Sequence, residues 1–261
     1  MSRMRKGLTW TLVLGVALAV LTAGVATAAK PTVVRAGNLI LKVNGGFAPQ
    51  KLPKNKLAPI RLFGSGNIST VDGSHPPVAK TVTIDFDRQG AINARGLPRC
   101  TTGRLQARPT GAAKAACRKA IVGKGSTTVR VAFPDSVPFN ATGPLVFFNG
   151  GVRGGTTTVL IHAYVAVPTP TAIVTTVKVT KIRRGRYGTR ATARIPTIAG
   201  GSGAVTSFSL SIKRDFKRGG KRQGYLLARC GTGTLAAHGV GTFSDGTRLA
   251  GTIVRPCRVR R

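Results

Sequence analysis

The amino-acid sequence predicts a mainly β protein, built as an antiparallel β-sandwich or barrel with one short helix and two local disulfides. Runs of β-branched and aromatic residues recur along most of the chain, and Gly, Pro and Asn-Gly separate them. Only one stretch shows the period of an amphipathic helix. Strands that follow one another without intervening helices form antiparallel sheets, which close as sandwiches or barrels.

The length and composition are those of a globular chain. The sequence has 261 residues, of which 42% are hydrophobic and 18% are charged. A chain of this length can bury one large core. We therefore predict a single mainly-β domain over residues 29–261, with a subdivision near residues 135–143 as the alternative.

The N-terminal segment has the three parts of a secretory signal peptide. A basic start at residues 3–6 is followed by an uncharged apolar run over residues 8–25 and by the small residues Ala26-Thr27-Ala28. An uncleaved membrane anchor is the competing interpretation, because the run approaches the length that spans a bilayer. The small-residue ending favours cleavage. We predict a signal peptide over residues 1–28, no transmembrane segment after its removal, and a secreted or extracytoplasmic protein, with envelope association through its charge as a further expectation.

Four cysteines, Cys100, Cys117, Cys230 and Cys257, form an early and a late pair along the chain. In an oxidising compartment this clustering favours the disulfides Cys100–Cys117 and Cys230–Cys257. A zinc site is the alternative, but the chain has no CxxC spacing. We expect no metal and no cofactor.

Strands are predicted wherever β-branched and aromatic residues cluster. In chain order, the predicted strands cover residues 39–43, 60–71, 80–87, 127–133, 144–148, 156–167, 172–182, 190–198 and 205–216. Asn-Gly-Gly at residues 44–46 and 149–151 and Asp72-Gly73 predict turns between them. Residues 225–257 then predict a final meander of three short strands joined by two tight turns.

The single helix is predicted to begin at Thr110, a suitable N-cap, and to end at Gly123. Apolar residues with helical spacing form the side that faces the core. These residues are Ala113, Ala116, Cys117, Ala120 and Ile121. Cys117 therefore points inward, and a disulfide to Cys100 would hold the helix on the sheet.

The geometry of the last predicted hairpin limits where the two cysteines of the Cys230–Cys257 disulfide can lie. A two-residue turn at Asp245-Gly246 places Thr234 opposite Cys257. If Cys230 lay on the strand beyond, the two cysteines would be about 10 Å apart, too far for a disulfide. Because Pro256 cannot continue the ladder, we expect Cys257 to leave the sheet and fold over its end.

Residues 80–87 alternate with the period of a half-buried strand, so that Asp85 and Asp87 share the face opposite the apolar residues. Two adjacent carboxylates could act as acid and base in glycoside cleavage or bind calcium. The competing interpretation is that both are solvated and neutralised by Arg88 and Arg95. If the protein is an enzyme, Asp85 and Asp87 are the candidate catalytic residues.

The charge balance is extreme. Lys and Arg total 41 against 6 acidic residues, all Asp, and the formal net charge is +35. Such a surface attracts polyanions. The densest cations form a predicted anion-binding rim of two stretches, Lys181, Arg183, Arg184 and Arg186, and Lys213, Arg214, Lys217, Arg218, Lys221 and Arg222. Arginine binds phosphate and carboxylate groups in a bidentate manner, which suits such a rim.

Tyr187 and Tyr225 could add stacking surfaces to the rim. However, aromatic residues make up only 5% of the chain, and no helix-turn-helix, RRM or zinc-finger pattern is present. We therefore expect no sequence-specific nucleic-acid binding. The chain also lacks a GxSxG motif, and His162 has the parity of a core or wall residue.

Several segments together resemble a group of exported actinobacterial proteins with no assigned activity. These segments are GLPRC with the following helix and VGKGS, then PLVFFNG, LIHAYV and IAGGSG, and finally ARC with FSDGTRLAGTIVRPC. The resemblance implies a secreted, disulfide-bonded, β-rich protein and brings no catalytic or binding residue.

The sequence thus predicts an exported, non-enzymatic binding or envelope-associated protein. Its expected partner is a polyanion, either an envelope polymer or an anionic lipid surface. A hydrolase that uses Asp85 and Asp87 is one alternative, and a β-barrel carrier of a lipid or small apolar ligand is another. The oligomeric state stays open.

Overall fold

The computed structural model describes residues 30–166 and 169–260. The predicted signal peptide lies outside these residues. The strands are β1 (Thr32–Ala36), β2 (Leu39–Ala48), β3 (Lys51–Leu52), β4 (Ala58–Pro59), β5 (Arg61–Thr70), β6 (Ala79–Asp87), β7 (Gly90–Ile92), β8 (Ile121–Val131), β9 (Phe139–Arg153), β10 (Thr156–Val165), β11 (Thr171–Arg184), β12 (Tyr187–Arg194), β13 (Gly203–Ile212), β14 (Asp215–Arg218), β15 (Lys221–Gly224), β16 (Leu226–Ala228), β17 (Thr234–Phe243), β18 (Arg248–Pro256) and β19 (Arg258–Val259). The helix α1 is Thr110–Ala116, and one-turn 3₁₀ helices cover Thr102–Arg104, Arg118–Ala120 and Ala199–Gly201.

Twelve strands form one antiparallel sheet that curls into a nearly closed barrel. The strand order is β1-β2-β5-β13-β8-β9-β10-β11-β12-β6-β17-β18. The prediction of a mainly antiparallel β fold with one short helix and two local disulfides is confirmed. Small sheets, β4-β16-β7, β14-β15 and β3-β19, are built from the connections between the main strands.

The two outer strands of the sheet, β1 and β18, meet at a seam. A Cβ on Gly251 of β18 would lie 2.8 Å from the Cγ2 atom of Val34 of β1. Arg255 of β18 donates hydrogen bonds across the seam to the carbonyl oxygen of Gly45 and to Oδ1 of Asn44, both at 2.7 Å. After Cys257, β19 crosses to pair in parallel with β3, the strand that follows β2. Side chains and this short ladder therefore hold the seam together.

Because neighbouring strands alternate in direction, every connection leaves the sheet at one of two ends. Residues 49–60, 88–120, 154–155, 185–186 and 213–233 all lie at the end where β6, β11, β13 and β18 finish. These include all of the long connections, the helix and three of the four cysteines, and Cys257 follows β18 at the same end. The opposite end has shorter loops.

The inner face of the sheet is the one that carries Phe147, Val159 and Val179. At the end with the long connections these side chains pack against Tyr225, which is 1% exposed, and against Leu97. The connections therefore fill the interior at that end with apolar side chains, which stabilises the sheet by hydrophobic burial.

Glycines recur on the inner face of the sheet. By register, this face includes Gly45, Gly64, Gly66, Gly123, Gly125, Gly143, Gly239, Gly241 and Gly251. At Gly125 of β8 the backbone of β13 approaches so closely that a Cβ would overlap the carbonyl oxygen of Ser209. Inward glycines are the usual means by which a strongly curved sheet bends towards closure.

The helix lies on the outer face of the sheet. Ala113, Cys117 and Ala120 pack against Phe148 and Leu160, which belong to the outward-facing rows of β9 and β10. The predicted helix is too long, because α1 ends at Ala116 and β8 already begins at Ile121. Cys117 is the C-cap of the helix, and a 3₁₀ turn over Arg118–Ala120 follows it. The Cys100–Cys117 disulfide, with Cα atoms 5.7 Å apart, joins the chain at this point.

Several predicted turns and pairings differ from the structure. Both Asn-Gly-Gly segments lie inside strands, at residues 44–46 of β2 and 149–151 of β9, rather than in turns. The predicted final meander is wrong, because β16 pairs with β4 and β7 instead of β17. The hairpin of β17 and β18 is shifted by one residue, so that Thr234 lies opposite Pro256.

The expectation that Cys257 leaves the sheet after Pro256 is confirmed, because β18 ends there. Cys230 precedes β17, and its Cα lies 5.9 Å from that of Cys257. Both predicted disulfides are present. Disulfides of this kind are typical of proteins that fold in an oxidising compartment.

Candidate anion-binding surface

Asp85 and Asp87 of β6 lie on the outer face of the sheet. Ile84 is opposite Ala191 of β12, which packs in the interior core, and successive side chains of a strand alternate between faces. The predicted sharing of one face by the two carboxylates is therefore confirmed. Their predicted solvation is wrong, because Asp85 is 2% and Asp87 is 5% exposed.

Asp85 is covered by arginines from neighbouring strands. Arg190 of β12 donates from Nε to Oδ1 at 2.7 Å and from Nη2 to Oδ2 at 2.8 Å. Nη1 of Arg184 lies 3.9 Å from Oδ2. The hydrogen bonds from Arg190, followed by the charges of both arginines, lower the pKa of the Asp85 carboxyl against the opposing effect of burial.

Asp87 holds the junction between three chain segments. Oδ2 accepts hydrogen bonds from Nη2 of Arg186 at 3.0 Å and from the backbone N–H of Ala236 at 3.2 Å. Oδ1 accepts the backbone N–H of Gln89 at 3.1 Å. The carboxylate thus links β6 to the turn before β12 and to β17.

The predicted neutralisation by Arg88 and Arg95 is wrong, because the arginines that contact the two carboxylates are Arg184, Arg186 and Arg190. Arg190 comes from β12, which pairs with β6, and Arg184 and Arg186 come from the end of β11 and the turn that leads into β12. None of the three follows β6 directly in sequence. A general acid in glycoside cleavage needs a raised pKa. The hydrogen bonds from Arg190 lower the pKa of the Asp85 carboxyl instead, which favours a structural ion pair.

We expect Asp87→Asn to lower the free energy of unfolding by about 2 kcal/mol, since a buried carboxylate with several donors is lost and Arg186 keeps its charge. Chemical denaturation measures the change. Asp215→Asn is the matched control, because Asp215 pairs with Arg222 at 2.7 Å on the surface, where the two side chains are 24% and 77% exposed. This control should change stability by about 0.5 kcal/mol or less. Equal effects of the two substitutions would contradict the role of Asp87.

Two cavities follow one another along the outer face of β6. The first is a groove of about 310 Å³ whose lining includes Thr83, Asp85, Arg184, Arg190, His238 and Arg248. The second, of about 260 Å³, lies beside Asp87 and is lined by Arg88, Gln89, Arg186, Thr232 and Thr234. Guanidinium groups line both, so this face presents cations along a recessed path.

The two stretches of the predicted rim lie at the same end of the sheet. The strands that precede them, β11 and β13, both finish at the end with the long connections. Nine of the ten rim residues are exposed, the exception being Arg214, which is half-buried. Tyr225 cannot serve as a stacking surface because it is buried in the core, whereas the Tyr187 ring lies 6.2 Å from that of His238.

Cations are concentrated in the connections at this end, with the exception of the Gly154-Gly155 turn, and we call it the cationic end. The exposed ones are Lys51, Lys54, Lys56, Arg88, Arg95, Arg99, Arg104, Arg108, Lys114, Arg118, Lys119, Arg186, Lys213, Lys217, Arg218, Lys221, Arg222 and Arg229, with Arg258 and Arg260 after β18. Within the described part of these connections the only carboxylate is Asp215.

The loops at the opposite end have the reverse character. In their described residues there is no Lys or Arg, and they contain Asp72, Asp135 and Asp245. The nearest cations there are strand residues, namely Arg35, Lys80, Arg130, Arg194 and Arg248. Asp72 and Asp245 each accept the backbone N–H of the residue two positions later, at 2.9 Å. The molecule is therefore electrostatically asymmetric along the axis of the sheet.

His162 is fully buried under the helix, as its parity predicts. Its Nε2 lies 2.9 Å from the carbonyl oxygen of Arg108, so Nε2 carries the proton and donates it. Nδ1 has no hydrogen-bond partner, and burial lowers the pKa of the ring. These contacts make His162 a part of the packing between helix and sheet.

The groove residues Arg190, His238 and Arg248 were not predicted from the sequence. The strand register would have identified them, because it places His238 and Arg190 on either side of Asp85. That register depends on pairing β6 with β12 and β17, strands far away in the chain.

No helix among the described residues is both long and apolar enough to cross a lipid bilayer. The same residues contain no cluster of three His, Cys, Asp or Glu side chains that could share a metal ion. Comparisons of the chain with protein-family models, with curated protein sequences and with solved structures find no match.

Proposed function

We propose that this protein binds a phosphate-bearing polymer of the cell envelope through its cationic end, without catalysing a reaction. The observation that carries the proposal is the separation of charge between the two ends of the sheet. A uniform surplus of cations would serve solubility alone. A surplus gathered at one end creates a directed field that attracts and orients a polyanion.

The few carboxylates leave this field almost undiminished. In the described part of the chain, only Arg184, Arg186, Arg190 and Arg222 lie within 4 Å of a carboxylate. Exposed cations without carboxylate partners are available to phosphate groups, and arginine can bind them through two parallel hydrogen bonds. The proposal also fits the two disulfides, which suit an extracytoplasmic location.

The two alternative functions have less support. Asp85 and Asp87 are buried in arginine contacts, which argues against a pair of catalytic carboxylates. The packing of Tyr225 and Leu97 against the inner face argues against a lipid carrier open at the cationic end.

The test is a binding titration of the oxidised protein with purified poly(glycerol phosphate) at two salt concentrations. The variant carries Lys213→Glu, Lys217→Glu and Lys221→Glu, three exposed lysines of the cationic end. We expect its affinity to fall about tenfold or more near 0.15 M salt, because several phosphate contacts are lost.

The matched control carries Lys42→Glu, Lys80→Glu and Lys178→Glu, three exposed lysines on strands away from the cationic end. It changes net charge equally and should keep affinity within about threefold, because charges beyond a Debye length of the polymer are screened. Equal losses in the two triple variants would overturn the proposal. Stronger binding to vesicles of phosphatidylglycerol than to the polymer would also overturn it, in favour of a lipid surface.

A further inference from the structure

We propose that the groove beside Asp85 is a distinct site for a single phosphate group carried by a small polar ligand. It lies on the side of the barrel, on the outer face of β6, β12, β17 and β18, and Arg184 at the end of β11 is the lining residue that it shares with the predicted rim. The site does not depend on polymer binding.

The register explains the shape of the groove. One row across the strands consists of Arg190, Asp85 and His238, and the row two residues further down places Thr83 beside Val240. Thr242 and Arg248 lie opposite each other in the third row. Short side chains thus form the floor between two rows with longer ones, and the outer rows are about 13 Å apart along the strands.

Asp85 positions the cations of the upper wall. Its two oxygens accept hydrogen bonds from Nε and from one N–H of Nη2 of Arg190, and these two bonds fix the plane of the guanidinium group. The remaining N–H groups of Arg190 are available to a ligand, because a guanidinium has five donors. Arg184, whose side chain is 72% exposed, approaches the same carboxylate at 3.9 Å. One buried anion thereby fixes the guanidinium group of Arg190 and attracts that of Arg184 beside the cavity.

The other parts of the lining complete the set of donors. Nδ1 of His238 lies 2.9 Å from Oγ1 of Thr252, which anchors the imidazole ring. Arg248 lines the groove from the lower row and is exposed. Three guanidinium groups against one carboxylate leave the groove cationic, and the Thr83 hydroxyl is at its floor.

This arrangement suits phosphate. A phosphate group has several acceptor oxygens pointing in different directions, and arginines approaching from two sides can each donate to a different pair. A volume of about 310 Å³ is at the small end of the range for ligand sites. The ligand class is therefore a phosphate ester of a small polyol or sugar, either free or as one unit of a polymer.

The test is calorimetric titration of the oxidised protein with glycerol 3-phosphate, with poly(glycerol phosphate) as a second arm. We expect saturable binding of the monomeric ester and a loss of about tenfold in Arg248→Ala, equal to one charge-assisted hydrogen bond. Arg153→Ala is the matched control, because Arg153 is an exposed strand arginine outside the groove. It should bind the ester as the unaltered protein does.

His238→Ala provides a second variant within the groove, and it should also weaken binding of the ester. Absence of saturable binding, or equal losses in Arg248→Ala and Arg153→Ala, would overturn the site. Failure of the polymer arm with retained ester binding would instead overturn the polymer proposal and leave this site in place. If ester binding is lost in the variant with Lys213→Glu, Lys217→Glu and Lys221→Glu but kept in the groove variants, the ester binds at the cationic end. That result would overturn the assignment of the site to the groove.

Discussion

Replacement of Cys230 and Cys257 by serine is expected to lower the free energy of unfolding by about 3.5 kcal/mol, as the chain-entropy model gives for a loop of this size. The two cysteines are 27 residues apart in sequence. They lie in an apolar cluster with Phe47 and Leu52, which come from the other side of the seam. Loss of the disulfide therefore removes both a constraint on the unfolded chain and a fixed point of the seam.

Guanidinium denaturation of the double variant and of the unaltered oxidised protein measures this effect. The Cys100→Ser and Cys117→Ser double variant is the comparison, with a separation of 17 residues and an expected loss of about 3 kcal/mol. Any local loosening beyond this global loss should be confined to the helix and its contacts on the outer face. Hydrogen exchange distinguishes the two cases, because only the Cys230 and Cys257 variant should lose more protection in β18 than its loss of global stability accounts for. Unchanged protection there would contradict the role assigned to this disulfide.

The second large effect is expected from Gly125→Ala, which should cost about 3 kcal/mol or more, at the upper end of overpacking substitutions. The new methyl group would overlap the carbonyl oxygen of Ser209 and lie 3.0 Å from the Cα of Leu210. Both are backbone atoms of the paired strand β13, so no side-chain rotation relieves the overlap. The strands would have to separate and weaken their ladder.

Gly239→Ala is the matched control, because Gly239 also faces inward and has no atom within 4 Å of an added Cβ. Its substitution should be neutral or stabilise the protein by about 0.5 kcal/mol through the unfolded state. Thermal or chemical denaturation of the two variants measures the difference. A similar loss in both would show that inward glycines act through backbone entropy and not through close strand approach.

The alternation of polar and apolar residues was sufficient to predict the fold class and the strand that carries Asp85 and Asp87. The same local pattern could not predict the burial of these carboxylates. Their covering arginines, Arg184 and Arg190, lie on strands that reach β6 only through the sheet order. A sequence pattern assigns a residue to a face, whereas burial depends on which side chains the neighbouring strands bring to that face.

The two Asn-Gly-Gly segments show why some turns could not be predicted. In isolation, Asn-Gly is a strong turn signal. In β2, however, Gly45 faces the interior, where an added Cβ would lie 3.2 Å from the carbonyl oxygen of Phe63. In β9, Asn149 is fully buried and donates from Nδ2 to the carbonyl oxygen of Pro98. Demands of curvature and packing outweigh the local preference in both strands.

The cationic rim was predicted as two stretches, and their placement at one end follows from strand direction alone. What the sequence could not supply is the rest of the cationic end. Lys51 and Arg229 belong to two different connections and Arg258 to the segment after β18, and only the topology brings these to the same side of the sheet. Likewise, the absence of cations from the described loops at the other end is recognised only once the topology assigns those loops to one end.

The strand order also constrains how this protein can be made. Asn67 of β5 is opposite Ser207 of β13, so β5 has an unpaired edge until most of the chain has been synthesised. Sheets dominated by such distant pairs fold slowly, and an open edge can pair with another chain. Assembly hairpin by hairpin would leave the β1-β2-β5 unit exposed to aggregation during translation. The open edge of β5 is therefore closed only when residues 203–212 are available, so a nascent chain that is kept unfolded until then avoids this exposure.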